Sequence, residues 1–239
     1  MTEPLSADTL SDLFSLLAHD LRNPLSALQS NLSFLASSPE RFDPDEREAM
    51  QDAVASSDAL AHMIDSLELL SKVLGSEPVR PPRVLLVAAV VKDVLVRHRN
   101  EAMSHGVELQ PNCPMVGQGL RVHSDPEMFT HALGALVRNA IQYSRAGGTV
   151  SVLSWRDGER CGVLVADAGP RLAPDFLESA FDAQTQCVAK KRLDARYSRG
   201  LGLYCARTAA RLGGAEVHPV EPPAAANNAF LLSALSVEA

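Results

Sequence analysis

The first third of the chain carries an apolar pattern with the period of a helix. Apolar residues recur at alternating steps of three and four, a spacing typical of the seam of a coiled coil or helical bundle. These residues, called here the α1 seam, are Leu10, Phe14, Leu17, Leu21, Leu25, Leu28, Leu32 and Leu35. Two prolines, Pro39 and Pro44, interrupt the pattern. A second helical pattern begins near Asp45 and places these apolar residues on one face: Met50, Val54, Leu60, Ile64, Leu67 and Leu74.

Two long helices separated by a short break predict an antiparallel hairpin. A single hairpin buries little apolar surface, whereas two hairpins paired as a four-helix bundle bury both seams. We therefore expect a homodimer. The segment GSEPVRPP, residues 75–82, should end the second helix. We place the domain boundary within it, with a helical hairpin over 1–78 and a second domain over 79–239.

Beyond this boundary, short apolar stretches alternate with helical ones. Strands are predicted at 83–89 (a strand, or a strand that leads into a helix), 107–111, 120–124, on both sides of a turn within 148–169, at 215–220 and at 228–237. Helices are predicted at 90–106, 125–144 and 200–214. The stretch EPPAAANN, 221–228, is interpreted as a short connection. This alternation predicts an α/β sandwich, with one mixed sheet and helices packed on one face.

Composition narrows the functional classes. A hydrophobic content of 46% and a charged content of 21% are globular values, and the net charge of -7 argues against a general binder of nucleic acid or anionic membranes. Four cysteines without a CxxC pair fit a reducing cytoplasm. The start is acidic rather than signal-like, and the longest apolar run is too short to span a bilayer. We expect a soluble cytoplasmic protein whose input comes from a partner such as a separate sensor protein, from a separate subunit, or from the helix ends themselves.

The stretch LAHDLRNPLSAL, residues 17–28, concentrates candidate chemistry. Helical geometry places His19 opposite the α1 seam, on the same face as Ser15 and Asn23. An exposed imidazole is mostly neutral at pH 7, and a neutral ring nitrogen can attack phosphorus. Asn23 could contact a phosphoryl oxygen or hold a water, and Asp20 could accept a proton or fix the histidine tautomer. The simpler reading is an exposed histidine.

Pro24 interrupts the same helical pattern. A proline inside a helix removes a hydrogen bond and costs about 3 kcal/mol. The carbonyl one turn back, that of Asp20, loses its partner, so we expect a bend beside His19 that could act as a hinge.

The motifs then resemble those of a known family. HDLRNPL, residues 19–25, fits at every position the phosphoacceptor box of bacterial two-component sensor histidine kinases. Further boxes follow in the family's order. LVRNAIQYS resembles the N box, VADAG the first glycine box, SAFDAQ the F box around Phe181, and RGLGLYCARTAARLGG the second glycine box. The resemblance implies a HisKA-type dimeric hairpin followed by a Bergerat (GHKL) ATP-binding domain of the HATPase_c type.

It also implies roles for particular residues. Asn139 of the N box would bind Mg²⁺ beside ATP, because its side-chain oxygen is a hard ligand suited to that ion. Asp167 would accept a hydrogen bond from the exocyclic amine of adenine. Gly169 belongs to the same glycine box and would also line the nucleotide site. Gly200 and Gly202 would place phosphates at a helix N-terminus. A polar segment, 182–199, would be the lid over ATP or else a solvated basic loop, and it holds Lys190, Lys191 and Arg192.

As a kinase of this family, the protein would transfer the γ-phosphoryl group of ATP to His19, with Asp20 as the base. The phosphoryl group would then pass to an aspartate of a response-regulator receiver domain. Asn23 would support the reverse duty, regulator dephosphorylation, by orienting water.

Four positions depart from the family pattern. They are Arg171 for the second glycine of the first glycine box, Ser198 for a glycine, Gln142 for a basic residue and Gln184 for an aromatic one. These departures keep open a histidine phosphotransferase whose degenerate ATPase-like domain no longer binds nucleotide. A serine kinase or chaperone-like ATPase of the wider superfamily is a third alternative, which the intact histidine box disfavours.

Overall fold

The computed structural model describes residues 6–75, 80–112, 119–173, 177, 179–182 and 202–237. The chain divides into two compact units, Met1–Pro78 and Val79–Ala239. Each unit is described by itself below.

Two long helices form the first unit. Helix α1 spans Ala7–Ala36, and the Ser6 side chain caps its start by accepting a hydrogen bond from the backbone of Thr9. Helix α2 spans Pro44–Leu74 and follows a short 3-10 turn, Pro39–Arg41. A capping box of Asp43 and Glu46 begins α2, an arrangement worth about 1 kcal/mol.

The α1 seam is only partly buried within one chain. Helix α1 buries one residue every seven positions, and these residues are Ser11, Ala18, Leu25 and Leu32. Ala18, Leu25 and Ile64 form a core cluster against which Ala61 and Leu67 pack. The remaining leucines of the α1 seam from position 17 onward are exposed, namely Leu17, Leu21, Leu28 and Leu35. The hairpin thus leaves half of the predicted seam on its surface.

The described residues of the second unit form seven strands. They are β1 (Arg83–Leu86), β2 (Glu108–Asn112), β3 (Arg121–Ser124), β4 (Thr149–Asp157), β5 (Arg160–Asp167), β6 (Glu216–Pro219) and β7 (Asn228–Leu235). Five strands form a mixed sheet in the order β2-β4-β5-β7-β6. Among the described strand pairs of this sheet, β2–β4 is parallel and the others are antiparallel. Gly158, with φ +53°, closes the β4–β5 hairpin.

The expectation of one sheet was wrong in one respect. Strands β1 and β3 pair antiparallel with each other as a separate two-stranded sheet. A bridge between Val122 and Ser236, just after β7, links β3 to the larger sheet. The apolar pattern identified these strands correctly, but it carries no information on which strand pairs with which.

In the part of the domain that the structure describes, the layer against the mixed sheet consists of α3 (Val87–Ser104), α4 (Pro126–Tyr143) and α5 (Gly202–Leu212). Helix α4 packs on β4, β5 and β7 and lies between α3 and α5. Asp125 caps its start, and Pro126 follows at the first helical position. The predicted hairpin followed by a mixed-sheet α/β domain is therefore confirmed. Among the described helices, none combines the length and apolar character that crossing a membrane requires.

Candidate active site

Helix α1 presents His19 and Asp20 to solvent, with side chains 72% and 65% exposed. The Nδ1 atom of His19 lies 3.1 Å from Oδ1 of Asp20. A carboxylate at this distance favours the tautomer that carries its proton on Nδ1. The lone pair then lies on Nε2, the ring nitrogen farther from the helix backbone, which is the nitrogen available to attack an electrophile.

The predicted face of α1 is present around the histidine. Ser15 and Asn23, one turn before and after His19, are both exposed. Helix α1 continues through Pro24 without a break. Arg22 ties this region to α2, because its guanidinium lies 3.0 Å from Oδ1 of Asp65 and 2.8 Å from Oε1 of Glu68.

In the second unit, the structure brings the N box and the second glycine box together. Asn139 lies half-buried on α4. A Cβ atom added to Gly202, the first residue of α5, would lie 3.9 Å from Oδ1 of Asn139. In the described part of the chain, no residue forms a hydrogen bond with the Asn139 side chain, so its amide oxygen is available to bind a metal ion.

Asp167 ends β5 and is 2% exposed. Its Oδ1 accepts hydrogen bonds from the backbone N–H of Gly169 at 2.8 Å and from Nδ2 of Asn228 at 3.1 Å. Burial raises the pKa of this carboxyl above its usual value, and the two hydrogen bonds partly oppose that shift. The two hydrogen bonds hold this buried carboxylate in a fixed orientation, and burial in a low-dielectric setting strengthens any hydrogen bond that it accepts.

Gly169 permits a close backbone approach. A Cβ atom at this position would lie 2.5 Å from the carbonyl oxygen of Tyr143, the last residue of α4. The turn that follows Asp167 is therefore seated against the end of the N-box helix, and a larger residue at 169 would displace it.

Sequence reasoning missed Asn227 and Asn228, which it assigned to a simple connection. Nδ2 of Asn227 donates to the carbonyl oxygens of Ala168 at 3.2 Å and Gly169 at 2.9 Å. Asn228 is 6% exposed and faces the same turn. A pair of amides at the start of a strand was the available signal, but only the register of β7 reveals what they contact.

Two of the departures from the family pattern are visible. Gln142 packs beside Arg138, and the amide orientation that satisfies both of its atoms lets Oε1 accept from the Arg138 Nε at 2.8 Å. Arg138 in turn donates to Oε1 of Glu101 at 3.2 Å. Gln142 is thus part of a polar network with α3. Arg171 is exposed in the turn after Asp167.

Phe181, the F-box residue, is buried and stacks edge-to-face on Phe230 with ring centroids 5.7 Å apart. The guanidinium of Arg207 on α5 lies over the Phe181 ring, 3.8 Å from the ring centroid, in a cation–π contact. Several predicted residues lie outside the described residues: Gly200, Gln184, Ser198, Lys190, Lys191 and Arg192.

Two family models match the chain. Residues 9–74 match the His Kinase A (phospho-acceptor) domain. Residues 124–228 match the histidine kinase-, DNA gyrase B-, and HSP90-like ATPase. The first range contains His19, Asp20 and Asn23, and the second contains Asn139, Asp167 and Gly202.

Similar proteins carry histidine kinase names. The chain is 31% identical over 196 residues to the sensor-like histidine kinase SenX3 of Mycolicibacterium smegmatis, a match that covers 82% of this chain and 50% of SenX3. It is 26% identical over 166 residues to the sensor histidine kinase CusS of Escherichia coli K12, covering 70% of this chain and 34% of CusS. The chain thus spans half or less of the length of these relatives.

Solved structures share the fold. The histidine kinase AdeS of Acinetobacter baumannii superposes with a TM-score of 0.55 at 20% identity, covering 91% of this chain and 97% of AdeS. Full-length ShkA in complex with AMPPNP gives a TM-score of 0.62 at 20% identity, covering 95% of this chain and 46% of ShkA. At these identities the likeness concerns the architecture.

Proposed function

Since the chain belongs to the histidine kinase family, with a phosphoacceptor hairpin and a GHKL-type ATPase domain, we propose that it autophosphorylates His19 from ATP. We propose further that the phosphoryl group passes to an aspartate of a response-regulator receiver domain in the cytoplasm. The observation that carries the proposal is the exposed His19–Asp20 pair within an intact phosphoacceptor box.

The geometry supports a defined division of labour at the histidine. Nε2 of His19 attacks the γ-phosphorus of ATP while the bond to the β-phosphate oxygen breaks and ADP leaves. The phosphorylated imidazole then releases its Nδ1 proton to the Asp20 carboxylate 3.1 Å away. Asn23, one turn on, supports the hydrolysis of a phosphorylated regulator by orienting water.

The second unit supplies the nucleotide site in this proposal. Asp167 accepts a hydrogen bond from the exocyclic amine of adenine, and Gly169 lets the chain approach the base. Gly200 and Gly202 place the phosphates at the start of α5. Asn139 fits Mg²⁺, because it offers an amide oxygen beside Gly202, and the ion would neutralise phosphate charge during transfer.

The surface of the hairpin supports dimerisation. Leu17, Leu21, Leu28 and Leu35 form an exposed row along α1. A contiguous apolar row of this kind is unfavourable in water, and pairing with a second hairpin would cover it. The proposed assembly is a homodimer with a four-helix bundle, from residues 1–78 of each chain.

A phosphotransferase without nucleotide binding is less well supported. The ATPase family model spans the N box, the first glycine box and the second glycine box, of which the structure describes the part from Gly202 onward. Asn139 and Gly202 lie close together. The polar contacts of Gln142 and the exposure of Arg171 leave Asp167 itself intact.

The test uses the purified chain with Mg²⁺ and γ-labelled ATP, beside His19→Ala, Asn139→Ala and the exposed helix control Asn100→Ala. We expect acid-labile, alkali-stable label on the wild type and the control and none on the other two variants. Label that survives in His19→Ala would contradict the assignment of the acceptor. Absence of label together with absence of ATP binding by calorimetry would favour the phosphotransferase.

A further inference from the structure

Asn228 stands directly opposite Asp167 in the antiparallel β5–β7 register, although 61 residues separate them along the chain. Its side-chain amide makes three hydrogen bonds. Nδ2 donates to Oδ1 of Asp167 at 3.1 Å and to the carbonyl oxygen of Pro170 at 3.1 Å, and Oδ1 accepts from the N–H of Leu172 at 2.9 Å. Both amide protons and the amide oxygen are thus used.

These bonds determine which oxygen of Asp167 remains available. Oδ1 of Asp167 already accepts from Asn228 and Gly169. Among the described residues, none donates a hydrogen bond to Oδ2. A buried acceptor without a partner is costly, and an amine donor from a ligand would satisfy it.

The same hydrogen bonds hold the residues on both sides of Arg171, which stands where the family pattern has a glycine. Pro170 and Leu172, the neighbours of Arg171, are both tied to the Asn228 amide. Nδ2 of Asn227 holds the preceding carbonyls of Ala168 and Gly169. The turn 168–172 is therefore held from the β7 side by side-chain amides.

We propose that Asn228 is a positioning residue for adenine recognition: it fixes the Asp167 carboxylate and the turn 168–172 together, so that Oδ2 of Asp167 meets the exocyclic amine of the base. This inference rests on the proposed function. Only a carboxamide of this length supplies two donors and one acceptor here, since an aspartate has no donor and a serine has one.

The experiment compares binding of ATP and of ITP, whose base carries an oxygen in place of the amine, by calorimetry on the full chain. The variants are Asn228→Ala, Asn228→Ser and the exposed control Asn100→Ala. We expect Asn228→Ala to weaken ATP binding about tenfold or more while ITP binding changes by less than about twofold. Asn228→Ser, which keeps one donor toward Asp167, should show an intermediate preference for ATP.

Equal weakening of both nucleotides in a folded Asn228→Ala variant would overturn the inference, since it would show a purely structural role. Unchanged ATP affinity would overturn it as well. Circular dichroism reports folding, and if Asn228→Ala unfolds, the preference of Asn228→Ser decides the matter by the same criteria. A wild type that binds no ATP would instead overturn the proposed function.

Discussion

Nδ1 of His19 and Oδ1 of Asp20 lie 3.1 Å apart, although adjacent residues on a helix project about 100° from each other. The contact exists because both side chains are exposed and free to turn toward one another. It places a proton acceptor beside Nδ1, the ring nitrogen opposite the Nε2 proposed to attack phosphorus. Because Asp20 is exposed, its substitution should not disturb the fold.

We predict that Asp20→Asn lowers the rate of His19 autophosphorylation about 100-fold or more, the usual contribution of a general base. The thermal unfolding midpoint should stay unchanged, because the residue is exposed. Initial rates of label incorporation measure the effect. Asp12→Asn, an exposed carboxylate on the same helix, is the matched control. A rate within twofold of the wild type would rule out Asp20 as the base.

Asp167 gives a prediction on pH and stability. Its folded-state pKa is raised by burial, so the folded form binds the proton more tightly than the unfolded form does. Ionisation therefore destabilises the fold as the pH rises through that window. Asp167→Asn removes the charge, and we expect a higher free energy of unfolding at pH 7, a difference that shrinks toward about pH 4. Urea unfolding at both pH values measures it.

The same variant should lose ATP binding, because an amide in place of Oδ2 presents a donor to the amine of adenine. Stability and binding would then change in opposite directions. A variant that is less stable than the wild type at pH 7 would contradict the assigned cost of the buried charge.

Ala225 has φ +73°, a left-handed conformation that costs a residue with a Cβ about 1 kcal/mol. We predict that Ala225→Gly stabilises the second unit by about 1 kcal/mol or somewhat less, since glycine also gains entropy when unfolded. Ala226→Gly, at a neighbouring position with ordinary φ, should not stabilise. Equal effects of the two substitutions in urea unfolding would contradict the role of strain.

Pro24 lies inside a continuous α1 helix, five residues after His19. Alanine restores the backbone donor, so Pro24→Ala should raise the thermal midpoint of the hairpin and stiffen the helix beside His19. We predict a shift in the ratio of autophosphorylation to regulator dephosphorylation rates. Both rates are measured on the same preparation, and their joint invariance would exclude Pro24 as a hinge.

Leu28 is 45% exposed on the outer row of α1. A lysine there would place charge in the proposed bundle core, so we expect Leu28→Lys to convert a dimer into a monomer at micromolar concentration. Sedimentation velocity measures this directly. Ser30→Lys, two residues on and exposed, should leave the dimer intact. A wild type that sediments as a monomer would contradict the dimer itself.

The hairpin was predictable because its signals are local. The period of the apolar residues, the Asp43–Glu46 box and the closing Gly75 all lie within a few residues of the boundaries they set. The pattern did not separate Leu25, buried within the chain, from Leu28, which is exposed. Both are apolar at coiled-coil spacing, and only packing against α2 distinguishes them.

In the second unit, the motifs predicted Asn139 and Asp167 as site residues but did not predict what surrounds them. The proximity of Gly202 to Asn139 depends on the packing of two helices that are distant in sequence, and the hydrogen bonds of Asn228 depend on strand register. The separate pairing of β1 with β3 has the same origin. Long-range pairing leaves no trace in local propensity, which explains why these features required the structure.

Strands β5 and β7 lie side by side within the mixed sheet, with Asp167 at the end of one and Asn228 at the start of the other. The ladder between the strands, not the chain that connects them, sets the distance between these two residues. The intervening sequence can therefore be lengthened, shortened or replaced during evolution without changing the distance between Asp167 and Asn228.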